Sequence, residues 1–305
     1  MKSPIKVVCL GGGWVAIYLA RALCSAIKEG LVELTVVSRD NYSTVHGLIA
    51  EMLTCKVQPQ QINASVRELI APAHLHNAEI ESVDVRNQSV LTRRALDGRA
   101  YPLPYDHLVV GVGSVEDLSR YAGLAEHAFP LKTFANCCRL RNHLLSVLEM
   151  AAIENNPVER QRLLTFVVAG GNYAGVEVAC ELVDYFRLLT RRKYPELKFE
   201  EFRVVLLEVG SSLLPELAGR HPHLVRTAIK QVARLGIDVR LHTGLAAATT
   251  DEAVLKSGER LPTRTIITCT GMRPSPLLEH LPFPKDKRGR LETDPHCRVL
   301  NTPNI

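Results

Sequence analysis

The chain has 305 residues, 46% hydrophobic and 23% charged, the balance of an ordinary globular protein with room for one large domain or two of typical size. Its net charge of +5 is modest and reads as a chance excess rather than a surface for an anionic membrane, no nucleic-acid partner is expected, and no run approaches the ~20 apolar residues of a membrane span. Met1-Lys2-Ser3-Pro4 leads straight into a strand, so no signal peptide is expected; the eight cysteines form no C-x-x-C pair, which suggests structural thiols in a reduced cytoplasmic compartment and no metal site.

Ile5–Leu10 reads as a buried parallel strand. Gly11, Gly12, Gly13, Trp14, Val15 and Ala16 follow, and the spacing of Ile17, Leu19, Ala20, Leu23 and Ile27 predicts a helix over 14–28 with a stop at Gly30. A strand at 34–37 completes a βαβ unit, which requires a parallel pair and a right-handed crossover. Period-two stretches between 78 and 103 predict a small antiparallel meander, after which the chain rejoins the sheet at 107–111. A helix is predicted over Phe134–Ile153, with Leu140, Leu144, Leu145, Val147 and Leu148 on one face, ended by Asn155-Asn156-Pro157.

A second βαβ unit begins at Leu163. Its strand ends in Gly170, Gly171, Asn172, Tyr173, Ala174 and Gly175; a helix over about 175–191 and a strand over 204–208 follow. A helix and strand (223–235, 237–241), a hairpin region (245–260) and a closing strand at Thr265–Thr268 repeat the plan of the first half. The expected architecture is α/β: two Rossmann-like dinucleotide-binding domains, each with a parallel sheet and an inserted antiparallel β-meander. The expected boundaries are 1–125 (first dinucleotide-binding domain, first part), 126–160 (linker helix), 161–275 (second dinucleotide-binding domain) and 276–305 (return to the first domain).

In a turn of this type the first glycine makes the bend, the second lets a pyrophosphate approach the backbone, and the third position must be small for helix–strand packing. Gly11, Gly13 and Ala16 meet these needs, and the helix start offers free N–H groups and the positive end of its dipole. The ribose acid is less regular: Ser38 stands in its usual place, Arg39 follows, and Asp40 lies two residues late. In the second turn Asn172 replaces the middle glycine and adds bulk where the pyrophosphate should touch. Glu208 is a well-placed ribose acid there, and no Arg or Lys follows through Leu214, which favours NADH over NADPH. No Ser/His/Asp or metal-ligand pattern stands out among the eleven histidines, so the chemistry is expected from cofactors.

Several stretches carry a family resemblance together: 11–16, Ser38-Arg39-Asp40-Asn41-Tyr42, 104–114, Glu126-His127-Ala128 with Leu131-Lys132, Gly175-Val176-Glu177, 213–217 and 269–274. Through them the chain resembles the two-dinucleotide-binding-domain flavoproteins (the pyridine nucleotide-disulfide oxidoreductase fold), and within them the type II NADH dehydrogenases (NADH:quinone oxidoreductases), over essentially its whole length. The resemblance implies FAD on the first half, at Gly11, Gly13, Ala16, Asp40 and the Gly113 turn, with Gly12, Trp14, Val15, Ser38, Arg39 and Lys132 also cofactor-binding. It implies NAD(H) on the second half, at Gly170, Gly171, Glu208 and the Gly271 turn, with Asn172, Tyr173, Ala174 and Gly175. Glu177 matches a family glutamate near the nicotinamide and is the candidate catalytic residue, there to orient the ring; a first-turn acid favoured by the helix dipole is the other reading. The implied reaction is hydride transfer from NADH to flavin and then electron transfer to a quinone.

In the family the stretch 300–305 leads into an aromatic-alanine-glycine-aspartate segment whose aspartate holds the flavin's ribityl-phosphate region. Closing parts of the FAD domain and amphipathic membrane helices come after it. The expectation is therefore a C-terminally truncated copy, cytoplasmic or peripheral on the cytoplasmic face of the inner membrane, with its anchor missing and a homodimer left open. Two other readings stand beside it. A sulfide:quinone oxidoreductase would need a reactive cysteine by the flavin, for which only Cys55 or Cys138 could serve. A non-catalytic nucleotide-binding fragment is suggested by Asn172 and the short C-terminus.

Overall fold

The computed structural model describes residues 3–305, which divide into two compact units: 3–44, 63–115 and 272–305 in the first, 45–62 and 116–271 in the second. The first unit contains strands β1 (Ile5–Leu10), β2 (Val32–Ser38), β3 (His74–Asn77), β4 (Glu79–Asp84), β5 (Ser89–Arg93), β6 (Ala100–Pro104) and β7 (His107–Val110), and helix α1 (Trp14–Ala22). Strands β3-β2-β1-β7 form a parallel sheet in that order, while β4-β5-β6 form an antiparallel meander. Side chains alternate across a strand, so each strand serves both faces of its sheet. Val7, Cys9, Leu34 and Val36 pack against Ala16, Ile17 and Ala20 of α1, whereas Val8, Leu10 and Val37 pack with Val90, Tyr105 and the meander residues Ile80 and Leu103. Both faces are covered, which is why these strands read as apolar runs. At the outer edge of β7, Leu108 N–H donates to the carbonyl of Asn304 at 2.9 Å.

The second unit repeats the plan. It contains α2 (Ile49–Leu53), β8 (Ala128–Pro130), α3 (Phe134–Ile153), β9 (Thr165–Ala169), α4 (Tyr173–Arg192), β10 (Arg203–Leu207), α5 (Pro222–Arg234) and β11 (Asp238–Arg240). The meander strands β12 (Leu245–Ala248), β13 (Glu252–Leu255) and β14 (Arg260–Pro262) and the closing strand β15 (Thr265–Thr268) follow. The parallel order is β8-β15-β9-β10-β11. Phe166, Val168, Leu206 and Ile267 face the helices, where Leu140, Leu144, Leu182, Phe186, Val225 and Val232 meet them; Val167, Ala169, Val205 and Ile266 face the meander residues Leu245, Ala253, Leu255 and Leu261.

Two details depart from the sequence reading. The helix expected over 14–28 breaks at Leu23 (φ −92°, ψ 3°) and resumes as Cys24–Lys28. Leu23 and Ile27 pack on the same cluster as Ile17, so the apolar stripe runs through the break and its period does not report it. The contact units also differ from the boundaries read from sequence. Residues 45–62 fall in the second unit because Ile49, Met52, Leu53 and Ile62 share one buried cluster with Leu140, Leu148 and Leu182. Helix α3, read as a linker, supplies core residues to that same cluster.

Phe166 is 0% exposed, and its ring lies 4.4 Å from that of Phe186. Phe166→Ala is expected to cost about 3–5 kcal/mol, read as a lower urea midpoint with an unchanged slope. Leu96→Ala, at a side chain 98% exposed, should move the midpoint by less than about 0.5 kcal/mol. Equal effects of the two substitutions would refute this core.

Candidate functional site

The first glycine turn follows β1. Gly11 has φ +102°, and a Cβ there would strike the carbonyl oxygen of Gly111, so only glycine fits. A Cβ on Gly12 would lie 2.6 Å from Ser38 Oγ, whereas one on Gly13 meets nothing within 4 Å. Helix α1 starts there, and its first bond runs from Ile17 N–H to Gly13 O at 3.2 Å. The N–H groups from Gly13 to Ala16 precede that bond, Gly13 has no capping side chain, and the first turn holds no acid. Bare donors at the positive end of a helix, beside open space, fit a pyrophosphate. Ala16 is fully buried at the third small position, while Trp14 and Val15 are exposed, Trp14 stacking on Tyr18 at 6.1 Å.

At the end of β2, Ser38 Oγ donates to Asp40 O at 2.7 Å, so the hydroxyl is turned into its own strand-end bend. The Asp40 carboxylate stays half-exposed, 3.6 Å from Arg39 Nε, and Arg39 also lies 3.8 Å from Glu79. Asn77 Nδ2 pins the bend by donating to Ser38 O and Arg39 O at 2.9 and 2.8 Å. A cleft of about 280 Å³ opens there, lined by Arg39, Asn77, Ala78, Glu79, Arg94 and Leu96 among others. Asn77 and Glu79 escaped sequence reasoning, because only the β2–β3 pairing brings them to this bend. Gly113 is left-handed (φ +65°), and its carbonyl accepts from Ser275 N–H at 3.4 Å.

The second turn is tighter. Gly170 has φ +111°, and a Cβ there would sit 2.9 Å from Cys269 O; one on Gly175 would collide with the carbonyl of Gly170. Asn172 caps α4 with ordinary backbone angles (φ −76°). Its Oδ1 accepts from Gly175 N–H at 3.1 Å, and its Nδ2 donates to Cys269 O at 2.7 Å. The bulk expected at the missing glycine is thus drawn back onto the helix start and the closing strand. Glu208 is 7% exposed and accepts from Gly171 N–H through Oε2 and from Gly210 N–H through Oε1, each at 2.7 Å. These are short charge-assisted bonds, and each oxygen keeps capacity for a further donor. Tyr173 and Ala174 are exposed at the helix start. Gly271 (φ +60°) accepts from Asp117 N–H at 3.1 Å.

Glu177 lies in the second turn of α4, exposed. Loss of surrounding water, and then the nearby carboxylate of Glu51 on α2, push its carboxyl above the ordinary glutamate value. One helical turn on, Glu181 accepts from Thr54 Oγ1 at 3.0 Å and pairs with Lys56 at 2.7 Å. The available cation therefore serves Glu181, and Glu177 keeps a like-charged neighbour. Lys132 is held through the backbone: Leu131 and Lys132 N–H donate to Glu116 Oε1 at 2.7 and 2.9 Å, and Lys132 O lies 2.9 Å from His46 Nε2. Burial raises the Glu116 carboxyl, against the pull of those two amides. His46 and Glu116 were not singled out in the sequence; they are more than 60 residues apart in the chain and meet only through the fold.

Among the described residues, no group of three or more His, Cys, Asp or Glu could hold a metal ion. Burial pushes the thiols of Cys9, Cys137 and Cys269 up to about 12 and that of Cys180 to about 11. Cys55 is exposed, in a left-handed backbone conformation (φ +61°), and Cys138 is partly buried.

The sequence pattern of the pyridine nucleotide-disulphide oxidoreductase family matches residues 5–305. A probable NADH dehydrogenase of Dictyostelium discoideum is 29% identical, over 98% of this chain and 66% of its own length. An NADH dehydrogenase-like protein of Mycobacterium tuberculosis is 30% identical, over 98% of this chain and 70% of its own. The structure of NDH2 from Plasmodium falciparum in complex with NADH superposes with a TM-score of 0.83 at 19% identity, over 99% of this chain and 62% of that one, which shows a shared fold. The chain spans about two thirds of the length of the curated relatives it matches. With both glycine turns built as that fold requires, the chain belongs to the pyridine nucleotide-disulphide oxidoreductase family, on its NADH dehydrogenase-like branch.

Proposed function

We propose that this chain is an FAD-dependent oxidoreductase whose second unit binds NADH, whose first unit binds FAD, and whose electrons pass on to a quinone. The observation that carries the reading is the second turn: a buried carboxylate, Glu208, at the end of β10 and braced against the glycine bend, with no cation in the following stretch to Leu214. That combination accepts hydrogen bonds from ribose hydroxyls and repels a 2′-phosphate, as a site for NADH should. The names of the curated relatives support NADH as the donor.

Bound FAD would supply the two-electron centre between NADH and the acceptor. The chain's own residues bind and orient. The amides from Gly13 to Ala16 and the dipole of α1 take one pyrophosphate; Gly13 leaves its approach open, while Gly11 and Gly12 let the turn pack against Gly111 and Ser38. Asp40, the half-exposed carboxylate two residues past β2, takes the ribose end, with Ser38 and Arg39 shaping the bend. In the second unit Gly170, Gly171, Tyr173, Ala174 and Gly175 offer backbone to the other pyrophosphate, with Asn172 fixing the helix start. Glu177 orients the nicotinamide, and the turns at Gly113, Lys132 and Gly271 line the cofactor sites. The acceptor implies a peripheral place at a membrane, on its cytoplasmic face; no described helix is long and apolar enough to cross one. A homodimer remains part of this proposal. The sulfide:quinone reading, which would need Cys55 or Cys138 beside the flavin, is less well supported, since the curated relatives are named as NADH dehydrogenases.

The purified protein is expected to be yellow, to lose its flavin absorbance on anaerobic addition of NADH, and to recover it with a short-chain quinone. A colourless protein, or one that NADH leaves unbleached, would overturn the proposal in favour of a non-catalytic fragment. Glu208→Gln should weaken NADH binding about tenfold, equivalent to roughly 1.4 kcal/mol, while bound flavin per chain stays the same. An unchanged Kd would remove Glu208 from the site. Asn172→Gly should leave the Kd for NADH within about twofold and cost only a few tenths of a kcal/mol in stability, whereas Asn172→Leu should cost about 1 kcal/mol through the lost cap. A large gain in affinity on Asn172→Gly would show that the side chain obstructs the nucleotide after all.

A further inference from the structure

The two glycine turns differ in what they offer an anion. In the first, the N–H groups from Gly13 to Ala16 precede the first helical bond and meet no capping side chain. The second turn uses donors on itself: Gly171 N–H goes to Glu208, Gly175 N–H goes to Asn172, and helical bonding begins at Val176 N–H with Asn172 O at 3.0 Å. It also carries a buried carboxylate, for a Cβ on Gly171 would lie 2.9 Å from Glu208 Oε2. A diphosphate at this turn meets fewer free amides and a like-charged neighbour, so it needs a cation from elsewhere in the fold.

Arg120, an exposed residue of the same unit, stands where that cation is wanted. Its guanidinium lies against the turn that follows β15: a Cβ on Gly271 would sit 2.8 Å from Arg120 Nη1 and 3.5 Å from its Cδ. Gly271 comes two residues after Cys269, whose carbonyl accepts from Asn172 Nδ2 at the start of α4; two residues of chain span at most roughly 7 Å. Among the described residues Arg120 makes no ion pair, although Arg160, Arg203, Arg240 and Arg264 of the same unit each pair with a carboxylate. Asp117 also borders the Gly271 turn, but its Oδ1 accepts from Ser119 Oγ at 2.7 Å. What supports the guanidinium is the ring of Tyr121, 5.7 Å from Arg120 Cζ; Lys256 Nζ lies 5.8 Å from the same ring. A ring steadies a cation without neutralising it, so the positive charge stays available to a ligand.

We propose that Arg120 binds the diphosphate of the dinucleotide in the second unit, as the cation that the self-satisfied turn does not provide. A guanidinium presents paired N–H donors in a fork that matches two phosphate oxygens, which a lysine at the same place would meet only as a point charge. The inference rests on the reading of the second unit as the NADH site and adds to it a residue 50 positions before Gly170, outside any turn motif.

The test is calorimetric titration of the oxidised holoprotein with ADP-ribose, which carries the diphosphate but has no hydride to give, beside adenosine, which lacks the diphosphate and is read by competition with NADH. Arg120→Met should weaken ADP-ribose at least about tenfold, the loss of one charge-assisted contact, and should flatten the dependence of its Kd on salt. Adenosine binding and the thermal midpoint should stay as they are, and Arg120→Lys should recover part of the affinity. In turnover the KM for NADH should rise with kcat within about twofold, as when binding common to ground and transition states is removed. Arg192→Met, at the far end of α4 and roughly 30 Å from Asn172, controls for net charge and should leave ADP-ribose within about twofold. Equal ADP-ribose affinity of Arg120→Met and wild type, an equal loss in Arg192→Met, or an equal loss for adenosine overturns the assignment and leaves the NADH reading standing. A wild type that binds neither ADP-ribose nor NADH overturns that reading, and the assignment with it.

Discussion

At the carboxyl end of each parallel sheet a strand must stop, bend through left-handed backbone and start a helix within three residues. Bare backbone makes this possible. Gly11 and Gly170 have φ of +102° and +111°, and a Cβ on either would run into the carbonyl at the end of the closing strand, Gly111 in one unit and Cys269 in the other. The contact joins the turn to the third element of its site, because β1 is flanked by β2 and β7, and β9 by β10 and β15. Where the turn closes, the helix N-terminus, the end of the next strand and the closing strand converge, and a nucleotide site needs those three. The small residues Ala16 and Gly175 hold the helix close enough for its dipole to act there.

The two turns satisfy their own polar groups differently. In the second unit Glu208 takes Gly171 N–H and Gly210 N–H, and Asn172 takes Gly175 N–H, so side chains of the chain itself hold the bend in shape. In the first, Ser38 turns its hydroxyl away into Asp40 O, and Gly13 brings no side chain at all. Its donors are left to solvent or to a ligand. A ligand that supplies acceptors there adds bonds the chain does not make by itself, and whatever binds the folded state alone stabilises it by linkage.

Much of this was open to reading in the sequence because the signals are local. An apolar run followed by glycines and a 3.6-residue stripe specifies strand, turn and helix within about twenty-five residues, and both units obey it. What escaped was either non-local or masked by periodicity. Residues 45–62 lie between two parts of the first unit in sequence, and only the packing of Ile49, Met52 and Leu53 against α3 and α4 reveals that they belong to the second. His46 and Glu116 grip the backbone of one residue, Lys132, from distant points in the chain. Asn172 was read against a pattern of glycines as bulk; the pattern has no term for a side chain that bends back to cap the helix and bind Cys269.

The net charge shows the same blindness in another form. A sum of +5 over 305 residues is unremarkable and was read as chance. A sum does not report where charge lies, and electrostatic attraction to a surface depends on charges within about a Debye length of it, roughly 8–10 Å at physiological salt. Elsewhere in the second unit arginines neutralise one another's carboxylate partners: Arg160 with Glu201, Arg203 and Arg240 with Asp238, Arg264 with Asp251. With those pairs set aside, cations that make no ion pair among the described residues remain together at the end of α4, where Arg191, Arg192 and Lys193 are exposed, and along α5, where Arg226, Lys230 and Arg234 are. The arrangement of acids, more than the count of bases, sets where the charge of this chain is concentrated.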